Sequence, residues 1–382
     1  MIRFLIFVAI LFLASCRSVE GPKNGKAAAD NAVAFAEFLS IDGDTVTTFS
    51  SWQDKASASE KYRLVPRDCT SILASDPMAI GVPVKGFICM STTYLPHIKL
   101  LGETESVKGV SGIRFIYDSL YSAMASEGLI ADVGAETSPD YEKILYLDCD
   151  VVLAYGISGS DNSYIEKLRH LGRKVIVIND YLEPSVMGKL EYIKLFGSLL
   201  GKRELADSIF LAKKSEYEAS RELCRSAMEK EGERKAEVLV NLPFKGIWYV
   251  PGKASYMAEL VADAGGEILG AEEGENLSSQ KSFEQMYSLA KNADVWIHLN
   301  QACRKSDISS ENAMFRQIPA FGKGQLYNNT LRVTADGGSD YWESGALHPD
   351  VILKDMIQIF HPEIAEKYFP GRELVYYFRL KD

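Results

Sequence analysis

Short runs of unbroken apolar residues alternate with amphipathic stretches along most of the chain, and this alternation predicts the architecture. Phe87-Ile88-Cys89-Met90, Val151-Val152-Leu153-Ala154 and Val175-Ile176-Val177-Ile178 are apolar at every position. Strands read this way when helices cover both faces of a parallel sheet. The same grammar restarts with Val238-Leu239-Val240, Val295-Trp296-Ile297-His298-Leu299 and Leu331-Arg332-Val333. Two α/β lobes are therefore expected. Between residues 35 and 70 the pattern is different. Phe38-Leu39-Ser40-Ile41 and Thr45-Val46-Thr47-Thr48-Phe49 flank an Asp42-Gly43-Asp44 turn, and Tyr62-Arg63-Leu64-Val65 reads as a third strand. This is a small antiparallel piece.

From Lys202 to Glu231 there is no Gly or Pro, and Gly201 and Gly232 bracket the stretch. Leu205, Ile209, Ala212, Ala219, Leu223 and Ala227 fall three, four or seven apart, along one stripe of a helix. At 1.5 Å per residue such a helix reaches about 40–45 Å, more than the diameter of either lobe. It reads as a strut, because the α/β grammar stops before it and restarts after it. The expected fold is α/β: two lobes with mainly parallel sheets joined by one long helix, plus a small N-terminal antiparallel β piece.

The apolar run Phe4–Leu13 has 10 residues, half of the roughly 20 that span a bilayer as a helix. Arg3 precedes it, and Leu13-Ala14-Ser15-Cys16 follows. The pattern resembles a bacterial lipoprotein box, which implies cleavage before Cys16 and acylation of its thiol. The expected organisation is a signal peptide over 1–15 and a lipid-anchored tether over 16–34. A β extension follows over 35–80, an N-terminal lobe over 81–200, a connecting helix over 201–232, and a C-terminal lobe with tail over 233–382.

Composition narrows the function. The 382-residue chain carries a formal charge of −10, which becomes −11 once Arg3 leaves with the signal peptide. So acidic a chain is a poor partner for nucleic acid. Cys69, Cys89, Cys149, Cys224 and Cys303 contain no Cys-x-x-Cys pair, and His97, His170, His298, His348 and His361 are scattered. No bare metal site and no cofactor is expected. An enzyme is the rival class, but there is no Gly-x-Ser-x-Gly elbow, P-loop or Gly-x-Gly-x-x-Gly after a strand.

Further motifs carry a resemblance. In the second lobe Gly246-Ile247-Trp248-Tyr249-Val250-Pro251-Gly252 runs on through Tyr256 to Asp263-Ala264-Gly265-Gly266. Phe321-Gly322-Lys323-Gly324, Tyr341-Trp342-Glu343, His348-Pro349-Asp350 and His361-Pro362-Glu363 follow in order. From about Gly86 to Glu363 the chain resembles the periplasmic substrate-binding proteins of ABC importers for ferric siderophores, haem and cobalamin. The resemblance implies delivery of a metal chelate, a ferric siderophore foremost, to an inner-membrane permease by a lipid-anchored monomer. Cobalamin or haem is the alternative cargo.

Tyr141-Glu142 leads a helix toward Asp150-Val151, and Phe283-Glu284 leads another toward Asp294-Val295. A Glu near a helix start is favoured by the macrodipole, so capping alone accounts for both. The resemblance implies a further role, docking one glutamate of each lobe onto the permease. Ligands of α/β sheets sit beyond the carboxyl ends of the strands. Reading the loops there selects Ser91, Thr92, Tyr94, Arg114, Phe115 and Tyr155 in the first lobe, and Trp248, Tyr249, Tyr256, Arg316, Tyr341 and Trp342 in the second. Aromatic walls suit a large, partly planar ligand, and arginine suits an anionic chelate.

Overall fold

A computed structural model describes residues 33–52, 55–147, 149–156 and 163–382. The signal run, Cys16 and nearly all of the tether lie outside the described residues.

The chain enters through a four-stranded sheet of β1 (Leu39–Asp42), β2 (Thr45–Trp52), β3 (Lys55–Pro66) and β4 (Ala79–Val82). The first three strands are antiparallel, whereas β4 pairs parallel with β3. That fourth strand, Ala-Ile-Gly-Val, is too short and glycine-broken to stand out in the sequence.

The first lobe is built on β5 (Phe87–Cys89), β6 (Val107–Val110), β7 (Ala131–Asp132), β8 (Val151–Ala154) and β9 (Val175–Val177). They form a wholly parallel sheet in the order β9-β8-β5-β6-β7. Every residue of β5 and β8 is buried, as unbroken apolar runs require. The second lobe uses β10 (Ala236–Val240), β11 (Ile247–Pro251), β12 (Gly266–Ile268), β13 (Ser278–Ser282), β14 (Val295–Ile297), β15 (Leu326–Asn328) and β16 (Phe378–Arg379). Its main sheet runs β12-β10-β14-β15-β16, parallel except for the last strand, and β11 with β13 makes a separate hairpin. Leu331-Arg332-Val333 is a loop rather than a strand, because β15 already occupies that place in the sheet.

Between the lobes runs one helix, Arg203–Glu231, of 29 residues, about 43 Å long. Gly232 ends it in the left-handed region at φ 68°, a conformation glycine adopts without a Cβ penalty. Its buried stripe is Ala206, Phe210, Tyr217, Ser220, Cys224 and Ala227. Leu205 faces solvent, because packing the Phe210 and Tyr217 rings turns the helix by one residue. The Tyr217 hydroxyl donates to the Asp263 carboxylate of the second lobe at 2.7 Å.

Beside this helix, where the Phe35 ring packs on Phe210 with centroids 5.9 Å apart, residues 34–38 are fastened to the first lobe through their main chain. Ala34, Phe35 and Ala36 donate N–H groups to the Glu191 carboxylate at 2.7–3.1 Å. Glu37 and Phe38 donate theirs to Glu183, both at 2.9 Å. Both glutamates are buried, and these donors supply the hydrogen bonds that a buried carboxylate needs. No two of the described cysteines form a disulfide.

Candidate functional site

All strands of the first lobe end on one side, and the loops leaving them enclose a cavity of about 430 Å³. Ser91 and Thr92 enter it after β5, Arg114 and Phe115 after β6, and Tyr155 after β8. Five residues expected from strand ends therefore meet on one wall. The Ser91 hydroxyl accepts from the Thr93 N–H at 3.3 Å, which caps the short turn Thr92–Tyr94. Arg114 lies over the Phe115 ring at 4.7 Å.

Ser111, Asp132 and Glu136 complete the wall and were missed. Asp132 ends a two-residue strand, which leaves no periodicity to detect. Its Oδ1 accepts from the N–H groups of Gly112 and Gly134 at 3.1 and 3.0 Å, tying two cavity loops together. Burial raises the Tyr155 phenol well above its usual range, and the neighbouring Glu136 carboxylate adds to the effect.

Tyr94 is not on this wall. It is 1% exposed because the turn that follows Ser91 rotates its ring into the core against Phe196, with centroids 6.2 Å apart.

In the second lobe adjacent aromatics divide between core and surface. Trp248 is wholly buried and stacks on Trp296 at 5.8 Å, with its Nε1 donating to the Val240 carbonyl at 2.8 Å. Strand alternation then points Tyr249 outward, 37% exposed. The expectation that Trp248 faces ligand is corrected by this alternation. Tyr341 is also buried, ringed by His298, Tyr376 and Tyr377 at 5.5–5.9 Å, while Trp342 is 53% exposed. Burial pushes His298 down to about 4, and its Nε2 shares a 2.7 Å hydrogen bond with the Tyr377 hydroxyl. It is a core histidine.

Tyr256 is half-buried at the seam between the lobes, with the Lys189 ammonium of the first lobe 4.7 Å from its ring centroid. Arg316 is exposed on the turn Ala313–Gln317, reaching the Ser309 hydroxyl at 3.4 Å. Asn241, His298 and Asn300 adopt φ of 66°, 60° and 53° just past the ends of β10 and β14. Left-handed non-glycine residues concentrated at strand ends mark a backbone held against its preference.

Glu142 and Glu284 are exposed, each the second residue of its helix, Tyr141–Tyr146 and Phe283–Leu289. Other residues cap these helices: Asp140 accepts from the Lys143 N–H, and Ser282 with Gln285 forms a capping box. Among the described residues neither glutamate has an ion-pair partner. Both helices start at the cleft end of their lobe, since one follows β7 and the other follows Ser282, which pairs with Ile247.

A larger hollow of about 700 Å³ is lined by Arg221, Cys224, Met228 and Asp263. It lies by Lys235 and Gly265, at the amino ends of β10 and β12, away from the cleft. Among the described residues no cluster of His, Cys, Asp and Glu has metal-site geometry, and no helix is long and apolar enough to cross a membrane.

Known proteins share this arrangement. An uncharacterized lipoprotein of Methanocaldococcus jannaschii is 26% identical over 326 residues, covering 82% of this chain and 73% of its own. The triscatecholate siderophore binding protein FeuA of Bacillus subtilis, solved with ferri-bacillibactin, superposes with a TM-score of 0.54 at 16% identity, over 81% of this chain and 97% of its own. A periplasmic heme binding protein of Pseudomonas aeruginosa gives 0.53 at 16% identity, over 73% and 93%. The periplasmic binding protein family matches residues 88–330. With two α/β lobes on one strut and a cavity at the strand ends, the chain belongs to that family and is a binding protein rather than an enzyme.

Proposed function

We propose that this chain is the substrate-binding component of an ABC importer for an iron complex, a ferric siderophore, which it hands to a membrane permease. The observation that carries the reading is the cavity at the first lobe's strand ends. Its hydroxyls (Ser91, Thr92, Ser111), its one guanidinium (Arg114) and its aromatics (Phe115, Tyr155) offer polar contacts and flat apolar surface together. Tyr249 and Trp342 add exposed rings from the second lobe. A chelate with an aromatic or planar rim and polar substituents uses both kinds of contact.

Glu142 and Glu284 are the permease contacts in this reading. Their helices are capped by other side chains, so capping does not account for them, and their carboxylates are unpaired at the cleft rim. Cys16 carries the lipid that holds the protein at the membrane, in line with the lipoprotein relative.

The test is titration of the purified chain with a ferric tris-catecholate, haemin and cyanocobalamin, following tryptophan emission. One-to-one binding of the ferric catecholate without turnover is the expected result. Failure to bind any of the three overturns the reading, and binding of haemin or cyanocobalamin alone reassigns the cargo.

A further inference from the structure

One set of contacts between the lobes borders the cavity and has no role in the reading above. Segment 112–118 leaves β6 at its carboxyl end and places Arg114 and Phe115 on the cavity wall. Segment 332–343 of the second lobe carries Tyr341 and Trp342. The two segments meet. The Glu343 carboxylate accepts the N–H groups of Tyr117 and Asp118, both at 2.9 Å. The Arg332 guanidinium lies 5.3 Å from the Tyr117 ring centroid. Asp340 holds it by a charge contact at 2.8 Å. The Thr334 hydroxyl donates to the Arg114 carbonyl at 3.4 Å. Gly338 presses so closely that a Cβ there would stand 1.9 Å from the Phe115 carbonyl oxygen.

We propose that Glu343 is the pin of a releasable latch between the lobes, and that this latch controls how long a chelate stays in the cleft. The second clause rests on the binding reading above; the first does not.

Three features make the contact a latch rather than core packing. Glu343 is 2% exposed, and its carboxylate has only the two main-chain donors as hydrogen-bond partners among the described residues. Thr334, Gly338 and Arg332 bring small and polar groups to the seam, against the Arg114 and Phe115 main chain and the Tyr117 ring. Every group released can be hydrated: one carboxylate, two N–H groups and a guanidinium.

The groups facing Glu343 also tune it. Asp118, which pairs with Lys99, and Tyr121 lie on the first lobe, and Asp340 with its Arg332 lies on the second. Burial, reinforced by Asp340 and Asp118, pushes Glu343 up to about 7 against the two hydrogen bonds that hold it down. A hydrated glutamate titrates near 4.3. The latched state therefore holds the proton more tightly than the released state, and the latch strengthens as pH falls from 8 to 5.

The experiment uses the full chain in lipid nanodiscs, with Glu343→Gln and Gly338→Ala. Glutamine keeps one acceptor but turns an amide N–H₂ toward the second donor, whereas alanine wedges the seam without touching the carboxylate. Amide exchange at Tyr117 and Asp118 is expected to accelerate at least tenfold in both variants, a change of about 1.4 kcal/mol in the opening equilibrium. In the unsubstituted chain, exchange corrected for its intrinsic pH dependence should slow from pH 8 to pH 5, and Glu343→Gln should flatten that trend. Dissociation of a ferric tris-catecholate or of haemin should accelerate in step. Unchanged protection in both variants overturns the latch. Faster exchange with unaltered chelate dissociation overturns its control of the cargo. If neither chelate binds, the transport reading falls and the exchange measurements still decide the latch.

Discussion

The fastening of residues 34–38 makes a quantitative prediction about Glu191. This carboxylate is fully buried. It accepts three consecutive N–H groups, from Ala34, Phe35 and Ala36, and pairs with the buried Lys194 ammonium at 3.2 Å. Glu191→Ala removes the charge that serves all four groups and leaves Lys194 with Asp207 at 3.6 Å. Breaking a buried pair from one side costs about 3–5 kcal/mol. At about 2.1 cal/mol/K per residue, a chain of this size has an unfolding entropy of about 0.7–0.8 kcal/mol/K, so the expected fall in Tm is about 4–7 °C. Calorimetry on a double-mutant cycle separates the parts. Deleting residues before Leu39 and substituting Glu191 should be non-additive by about 1.5–3 kcal/mol, the range for hydrogen bonds to a charged group. Additivity within about 0.5 kcal/mol, or a loss below about 1 kcal/mol for Glu191→Ala alone, would refute the reasoning.

Neighbouring aromatics should separate stability from binding. Trp248→Ala is expected to cost about 3–5 kcal/mol in denaturant unfolding, whereas Trp342→Ala should leave unfolding unchanged and abolish most chelate-induced quenching of tryptophan emission. Glu142→Ala with Glu284→Ala should eliminate uptake by whole cells while the chelate Kd stays the same; normal uptake would remove both glutamates from the docking role. Glu343 gives a pH signature of its own. Its pKa is raised to about 7 in the fold, so its favourable contribution is complete below about 4.3, where the unfolded chain is also protonated. That contribution is lost as pH rises through about 7. A Tm profile measured from pH 4 to 8 should therefore flatten in Glu343→Gln, and parallel profiles would contradict the assignment.

Repetitive features of the chain were legible in its sequence, and one-off pairings were not. Fully apolar runs at 87–90 and 151–154 could only be strands covered on both faces, and the glycine-bracketed stretch at 202–231 could only be a long helix. The buried face of that helix was harder to read. A spacing of three and four marks a stripe, but the rings of Phe210 and Tyr217 decide which stripe turns inward. The site divided similarly. Ser91, Thr92, Arg114, Phe115 and Tyr155 come together on one cavity wall because strand ends converge in a parallel sheet. Trp248 and Tyr341 were misplaced because adjacent aromatics in a strand or a helical turn alternate between core and solvent. Glu183, Glu191 and Glu343 bind main-chain groups more than 140 residues away, and no local pattern encodes such a bond.

The strut has a consequence beyond its length. In an α-helix, rise and rotation are locked together at 1.5 Å and about 100° per residue. The helix Arg203–Glu231 therefore sets the azimuth of the second lobe as well as its distance. Inserting one residue would turn that lobe by about 100° while moving it by only about 1.5 Å, and both the cleft and the alignment of Glu142 with Glu284 would be lost. Inserting seven residues would displace it by about 10 Å yet restore its facing to within about 20°. The two lobes are thus coupled as sectors on one shaft, and phase is the stricter constraint on the length of the helix that joins them.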